Sequence, residues 1–254
     1  EQGILVRALI SVPLLVTIAY FRKSLFVRID RRNWKIVLIR AFAELGATMA
    51  FLTALSKMPL ANVTAILQSL PLTVTMFAAI FFGEQVGWRR WGAILIGFVG
   101  VLIIIRPGGE GFNQYAFLAI VAVGFVTLRD AITRKLDPAV PSLFVALISS
   151  IPILFFGVGM TAATGWNPLS GLLFGIVVLA AIAITSGHLF AVMAMRSGEI
   201  SFVSPFRYTG MVWAILFGFL LFGDLPDHAT TLGTVIVIGM GIYAFHRERV
   251  RQQS

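Results

Sequence analysis

Cysteine is absent from the 254 residues of this chain. Disulfides, thiolate metal sites and cysteine nucleophiles are therefore excluded. Histidine is almost absent: three copies, scattered, give no metal cluster. Charge is scarce too, at 12% of residues, where a soluble domain carries about 25%. Acids are rarer than bases, 11 against 20, for a net charge of +9. No HExxH, GxSxG or GxxxxGK[ST] motif occurs, which speaks against an intramembrane enzyme. Alternating ten-residue segments are missing as well. Leu118–Val126 and Ile176–Ile184 are continuously apolar, which excludes a membrane β-barrel.

What is there is apolar: 58% of residues are hydrophobic, with a mean hydropathy of +0.93. A disordered chain, a coiled coil and almost any soluble domain are excluded, and the numbers favour a protein whose solvent is lipid. A helix needs about 20 apolar residues to cross a bilayer. Nine runs qualify: 3–21, 34–55, 61–82, 90–105, 115–135, 142–163, 171–195, 199–222 and 229–245. The basic residues separate the connections into two kinds. With a cytoplasmic C-terminus, the inner connections hold Arg22, Lys23, Arg28, Arg31, Arg32, Lys35, Arg89, Arg90, Arg134, Lys135, Arg196, Arg247, Arg249 and Arg251. The outer ones hold only Lys57 and Arg106. That asymmetry supports nine alternating spans, with residue 1 outside and a basic balance that reads as topology rather than nucleic-acid binding. Trp34, Trp88, Trp91 and Trp166 fall near span ends, as interfacial anchors do.

Residues 54–106 align with 194–247. At an offset of 140, Ala54 meets Ala194, Val63 meets Val203, and Phe82-Gly83-Glu84 meets Phe222-Gly223-Asp224. After one inserted residue, Gly92 meets Gly233, Gly100 meets Gly241 and Arg106 meets Arg247. The aligned connections fall on opposite sides of the membrane, so the repeats are inverted, the pattern of secondary transporters. The expected division is residues 1–108 and 109–254. Four spans precede the 106–114 connection and five follow it. A five-plus-five bundle would have one more helix before Glu1, so ten spans are expected, with the first missing.

The ending of the first repeat is Phe82, Gly83, Glu84, Gly92, Gly97, Gly100, Val101, Arg106, Pro107 and Gly108. With the nine spans, it resembles the EamA-type drug/metabolite transporter superfamily. Within it, Leu128-Arg129-Asp130-Ala131-Ile132, Ser204-Pro205-Phe206-Arg207-Tyr208 and Phe222-Gly223-Asp224-Leu225-Pro226-Asp227 are similar to S-adenosylmethionine uptake members. The resemblance implies an all-α integral membrane bundle of inverted repeats in a bacterial cytoplasmic (inner) membrane. It implies a secondary transporter working by alternating access. S-adenosylmethionine is the first expected substrate. Export of amino acids, drugs or other metabolites, and riboflavin uptake, are the alternatives. A channel or an enzyme is the reading outside that class.

Ionisable groups inside spans are costly in lipid and mark candidate sites. Glu44 lies near mid-span, with Arg40 one turn before it on the same face. The pair is either a cation or proton site, or a neutralised pair that packs the bundle. Arg207 follows Pro205, which breaks the hydrogen-bond ladder, and precedes Tyr208. Its guanidinium suits a substrate carboxylate, or it snorkels to the surface. Gln68 stands opposite Tyr208 in the repeat, with Pro71 close behind. His188 is mid-span, a core residue or a proton carrier. Asp130 and Arg134 are four apart, a surface ion pair or an inner gate. Arg7 snorkels or meets substrate from outside, and Trp213 packs or stacks on a ligand. Small residues at Gly210, Ala214, Gly218 and at Gly171, Gly175 permit close helix crossing or a homodimer contact. The expected substrate-binding set is Arg40, Glu44, Gln68, His188, Arg207 and Tyr208. Expected partners are a small molecule and membrane lipid, without nucleic acid, cofactor or metal.

Overall fold

A computed structural model describes residues 2–25, 27–108, 113–166, 170–197 and 207–253. The described residues form helices α1 (Gln2–Phe21), α2 (Arg31–Leu55), α3 (Leu60–Leu67), α4 (Leu70–Phe82), α5 (Trp88–Ile105), α6 (Ala116–Thr133), α7 (Ser142–Thr164), α8 (Gly171–Ser197) and α9 (Thr209–Phe217). A π turn (Gly218–Phe222) continues α9, and α10 (His228–Gln253) follows. Eight helical segments are long and apolar enough to cross a membrane, counting α3 and α4 together. The ninth, Thr209–Phe222, is a shorter apolar helix. Residues 199–206 of its expected span, with Pro205, lie outside the described residues. Large apolar side chains stand exposed along these helices: Phe81 at 67%, Phe155 at 71% and Leu179 at 69%. In water such faces would drive aggregation; in lipid they are satisfied. The chain is an integral membrane protein.

The run expected over 61–82 is broken at Gln68–Ser69. Pro71, with no N–H to donate, sits in the first turn of α4, where its absence costs nothing. Gly83 (φ 68°) ends α4 and Gly223 (φ 71°) ends the π turn, both left-handed. In each, the next N–H reaches back six residues: Glu84 to the Ala78 carbonyl at 3.2 Å, Asp224 to the Gly218 carbonyl at 3.1 Å. The aligned Phe-Gly-acid triplets thus share one helix stop, in which glycine supplies the positive φ.

Two compact units emerge: Glu1–Leu45 with Ile132–Ser197, and Gly46–Ala131 with Gly198–Ser254. Each draws helices from both sides of residue 108. In the first unit, α1 packs on α7 and α8. Leu15, Val37, Phe144, Val145, Leu147 and Val192 fill its core. Gly157 allows α7 to approach closely: a Cβ there would meet Leu5 Cα at 2.9 Å. Arg196 binds the end of α8 to the α6–α7 connection, donating to Ser142 Oγ at 2.9 Å and the Asp137 carbonyl at 3.0 Å. In the second unit, α5 and α10 cross at Gly100 and Gly233. Around them lie Ala54, Ile66, Leu72, Ile94, Val101 and Val237. Small residues at a crossing let backbones touch, which drives helix association in lipid.

Candidate functional site

Buried charges gather in each unit. In the first, α2 holds Arg40 at 2% exposure and Glu44 at 9%. Their i, i+4 spacing brings Arg40 Nη2 to 4.0 Å from Glu44 Oε2. Arg40 Nε donates to Thr133 Oγ1 at 2.9 Å, and Nη1 donates to Ser149 Oγ. Buried charge survives in a membrane only when paired and hydrogen-bonded in this way. Across from α2, His188 of α8 places Nδ1 3.5 Å from Glu44 Oε1. Its Nε2 is buried and has no partner among the described residues. The structure thus brings together three of the six expected residues, Arg40, Glu44 and His188.

Beside them lies a cavity of about 50 Å³, its polar lining formed by Arg7, Ser11, Glu44, Ser150, Thr185 and His188. A water needs about 10–15 Å³ of such space, so the cavity admits a few waters or a small polar group, not a whole metabolite. Ser11 and Thr185 hydroxyls meet at 2.5 Å across α1 and α8. The expected set left out Arg7, Ser11, Ser150 and Thr185. A signal for them exists in the sequence. Arg7 and Ser11 are one turn apart within an apolar run, as are Thr185 and His188.

The second unit contains Gln68, Asp130, Arg207 and Tyr208. Asp130, 3% exposed, takes Arg207 Nη2 at 2.5 Å and Arg129 Nε at 2.9 Å. Arg207 therefore meets the expected gating carboxylate. Arg134, expected beside Asp130, is partly buried at the end of α6 and falls within the first unit. Tyr208 lies against Gly241 of α10, where a Cβ would overlap its hydroxyl. That hydroxyl and the Gln68 amide nitrogen are buried without partners among the described residues. Trp213 stands exposed and stacks on Phe217, centroids 5.9 Å apart. Outside the spans, Arg106 pairs with Asp227. Partial burial pushes the Asp227 carboxyl up; the Thr230 N–H and the Arg106 guanidinium outweigh it and hold it below the ordinary value. No group of three or more metal-ligating side chains occurs among the described residues.

The EamA-like transporter family matches residues 3–106. These residues are similar to an EamA-like transporter domain. The S-adenosylmethionine uptake transporter of Rickettsia bellii is 29% identical over 206 residues, covering 77% of this chain and 67% of that protein. Its Rickettsia felis counterpart is 27% identical and covered over 65% of its length. The chain thus spans about two thirds of these relatives. A riboflavin transporter of Vibrio cholerae is 28% identical over 231 residues, covering 88% of this chain and 76% of that protein. A protein of known crystal structure superposes with a TM-score of 0.70 at 16% identity, covering all of this chain and 88% of the other. That likeness concerns the fold. The matched stretch contains Arg7, Arg40, Glu44 and Gln68, while Asp130, His188, Arg207 and Tyr208 lie beyond its end.

Proposed function

We propose that this chain is a secondary transporter that moves a small organic metabolite across a bacterial cytoplasmic membrane by alternating access. The observation that carries the reading is the Arg40–Glu44–His188 cluster, buried among helices of membrane length in an EamA-type chain. Such groups are costly in lipid, and a solute pathway accounts for them. S-adenosylmethionine is the first substrate, supported by the names of the Rickettsia relatives. Its carboxylate and cationic centres suit a site lined by guanidinium and carboxylate. The repeats of residues 1–108 and 109–254 are inverted halves of the carrier, with the C-terminus cytoplasmic. Arg207 and Asp130 form an ion pair that opens when substrate competes for the guanidinium.

The test is counterflow in proteoliposomes preloaded with unlabelled S-adenosylmethionine. Saturable accumulation of labelled S-adenosylmethionine, dependent on the internal load, is expected. Its absence with folded, inserted protein removes this substrate and moves the assay to riboflavin and amino acids. Conductance without saturation would replace the carrier with a channel.

A further inference from the structure

We infer that the cavity between α1, α2, α7 and α8 is a subsite for an α-amino-acid headgroup, with Arg7 holding its carboxylate and Glu44 facing its ammonium. The inference deepens the transport reading by naming which end of the solute enters this unit. Three observations converge on it. First, the charges are unequal: Arg7 and Arg40 bring two guanidiniums to one carboxylate, Glu44. Arg40 is engaged by Thr133, Ser149 and Glu44. Arg7 has no hydrogen-bonding partner among the described residues, although it lines a cavity inside a span. A guanidinium in lipid without a hydrogen-bonded anion is the costly case, and a ligand carboxylate completes it with two hydrogen bonds.

Second, the lining carries opposite signs within one small space, Arg7 and Glu44, with hydroxyls at Ser11, Ser150 and Thr185. A zwitterion presents both signs a few bonds apart. An anion alone would meet the Glu44 carboxylate, and a cation alone would meet Arg7. Third, about 50 Å³ accommodates a headgroup but not the remainder of a metabolite. Riboflavin has no such headgroup; S-adenosylmethionine does. The rest of the solute must extend beyond this cavity, so the site selects on the amino-acid end alone.

The experiment has two arms. In detergent, thermal unfolding of the purified full chain is followed with L-methionine and with 3-(methylthio)propylamine, the same molecule without its carboxylate. Methionine should raise the transition temperature of the wild type while the amine does not, and Arg7→Gln should abolish that shift. Arg7→Gln removes a charge without a hydrogen-bonded partner, so the unliganded variant should unfold no earlier than the wild type. Ser150→Val, which fills the cavity from α7 and leaves Arg7 in place, should abolish the shift independently.

In proteoliposomes, S-adenosylmethionine should compete with its own labelled form at least about tenfold better than decarboxylated S-adenosylmethionine, the preference a charged bidentate contact gives. In Arg7→Gln the two should compete within about threefold of each other. No stabilisation by methionine, equal stabilisation by the amine, or an unchanged competition ratio in Arg7→Gln overturns the inference. Stabilisation by methionine without S-adenosylmethionine counterflow supports the subsite and rejects the proposed substrate. Counterflow with an unchanged ratio supports the carrier and rejects the subsite.

Discussion

Arg40 and Glu44 were left between two roles by their spacing, and a double-mutant cycle separates them. The perturbations are Arg40→Met, Glu44→Gln and the two together. At 4.0 Å, with side chains 3% and 11% exposed, the pair attracts by about 4 kcal/mol at the effective dielectric of about 20 that suits such sites. Desolvation offsets much of that, so the net worth of the pair is small. Breaking it is another matter. Arg40→Met takes from the buried Glu44 carboxylate the guanidinium one turn away, with His188 Nδ1 3.5 Å from its Oε1. The expected cost is ~3–5 kcal/mol. Glu44→Gln leaves Arg40 with Thr133 and Ser149 still accepting, so it should cost less, ~1–3 kcal/mol. The double variant carries neither charge. Its loss should fall ~1–3 kcal/mol short of the sum of the single losses. Reversible unfolding in mixed micelles measures all four proteins. Additive losses within about 0.5 kcal/mol would refute electrostatic coupling. Counterflow on the same set then addresses function: a double variant that folds and transports assigns the pair to packing alone.

Three further outcomes are expected. Gly233→Ala should destabilise by ~1–3 kcal/mol, because its Cβ would lie 2.5 Å from the Gly100 carbonyl oxygen; Gly92→Ala, which meets nothing within 4 Å, should be neutral or better in the same melt. Asp227 accepts the Thr230 N–H at 2.8 Å as the cap of α10, so Asp227→Ala should lose ~1 kcal/mol. Its carboxyl is held below the ordinary value in the folded chain. The contribution of its charge is thus present above about pH 4 and lost as pH falls through the lowered folded value. Melting curves of wild type and Asp227→Asn should converge in acid, and a gap that widens there contradicts this sign. Asp130→Asn leaves the Arg129 and Arg207 guanidiniums without the carboxylate that both now contact, and should reduce the initial counterflow rate at least about tenfold; a wild-type rate removes Asp130 from the pathway.

The helices were legible because lipid imposes length and apolarity on every span, and those two properties are local. The starts of α5 and α7 lay within two residues of the expected spans. The interruption at Gln68–Ser69 was not foreseen, because an apolar run with a proline reads the same whether the helix bends or stops. The tail of α10, running to Gln253, was also missed: its polar last turns carry no membrane signal, although they continue the helix. At the site, Glu44 and Arg40 were visible because charge inside an apolar run is rare. Arg7 was visible too, but its direction was not. A guanidinium on a flexible stem either snorkels or turns inward, and only the helices packed around it decide.

Sequence by itself determined the lipid solvent, the helical class, the nine runs and the identities of the buried charges. Each of these follows from the cost of an unpaired polar group in a bilayer. Tertiary structure decided which charges meet. Helices far apart in the chain, α2, α7 and α8, converge on one cluster, and Asp130 receives Arg207 from 77 residues away. Partners across helices depend on rotation and crossing of packed faces. Those are fixed by small residues such as Gly157, Gly100 and Gly233 acting together, and no spacing along a single helix records them.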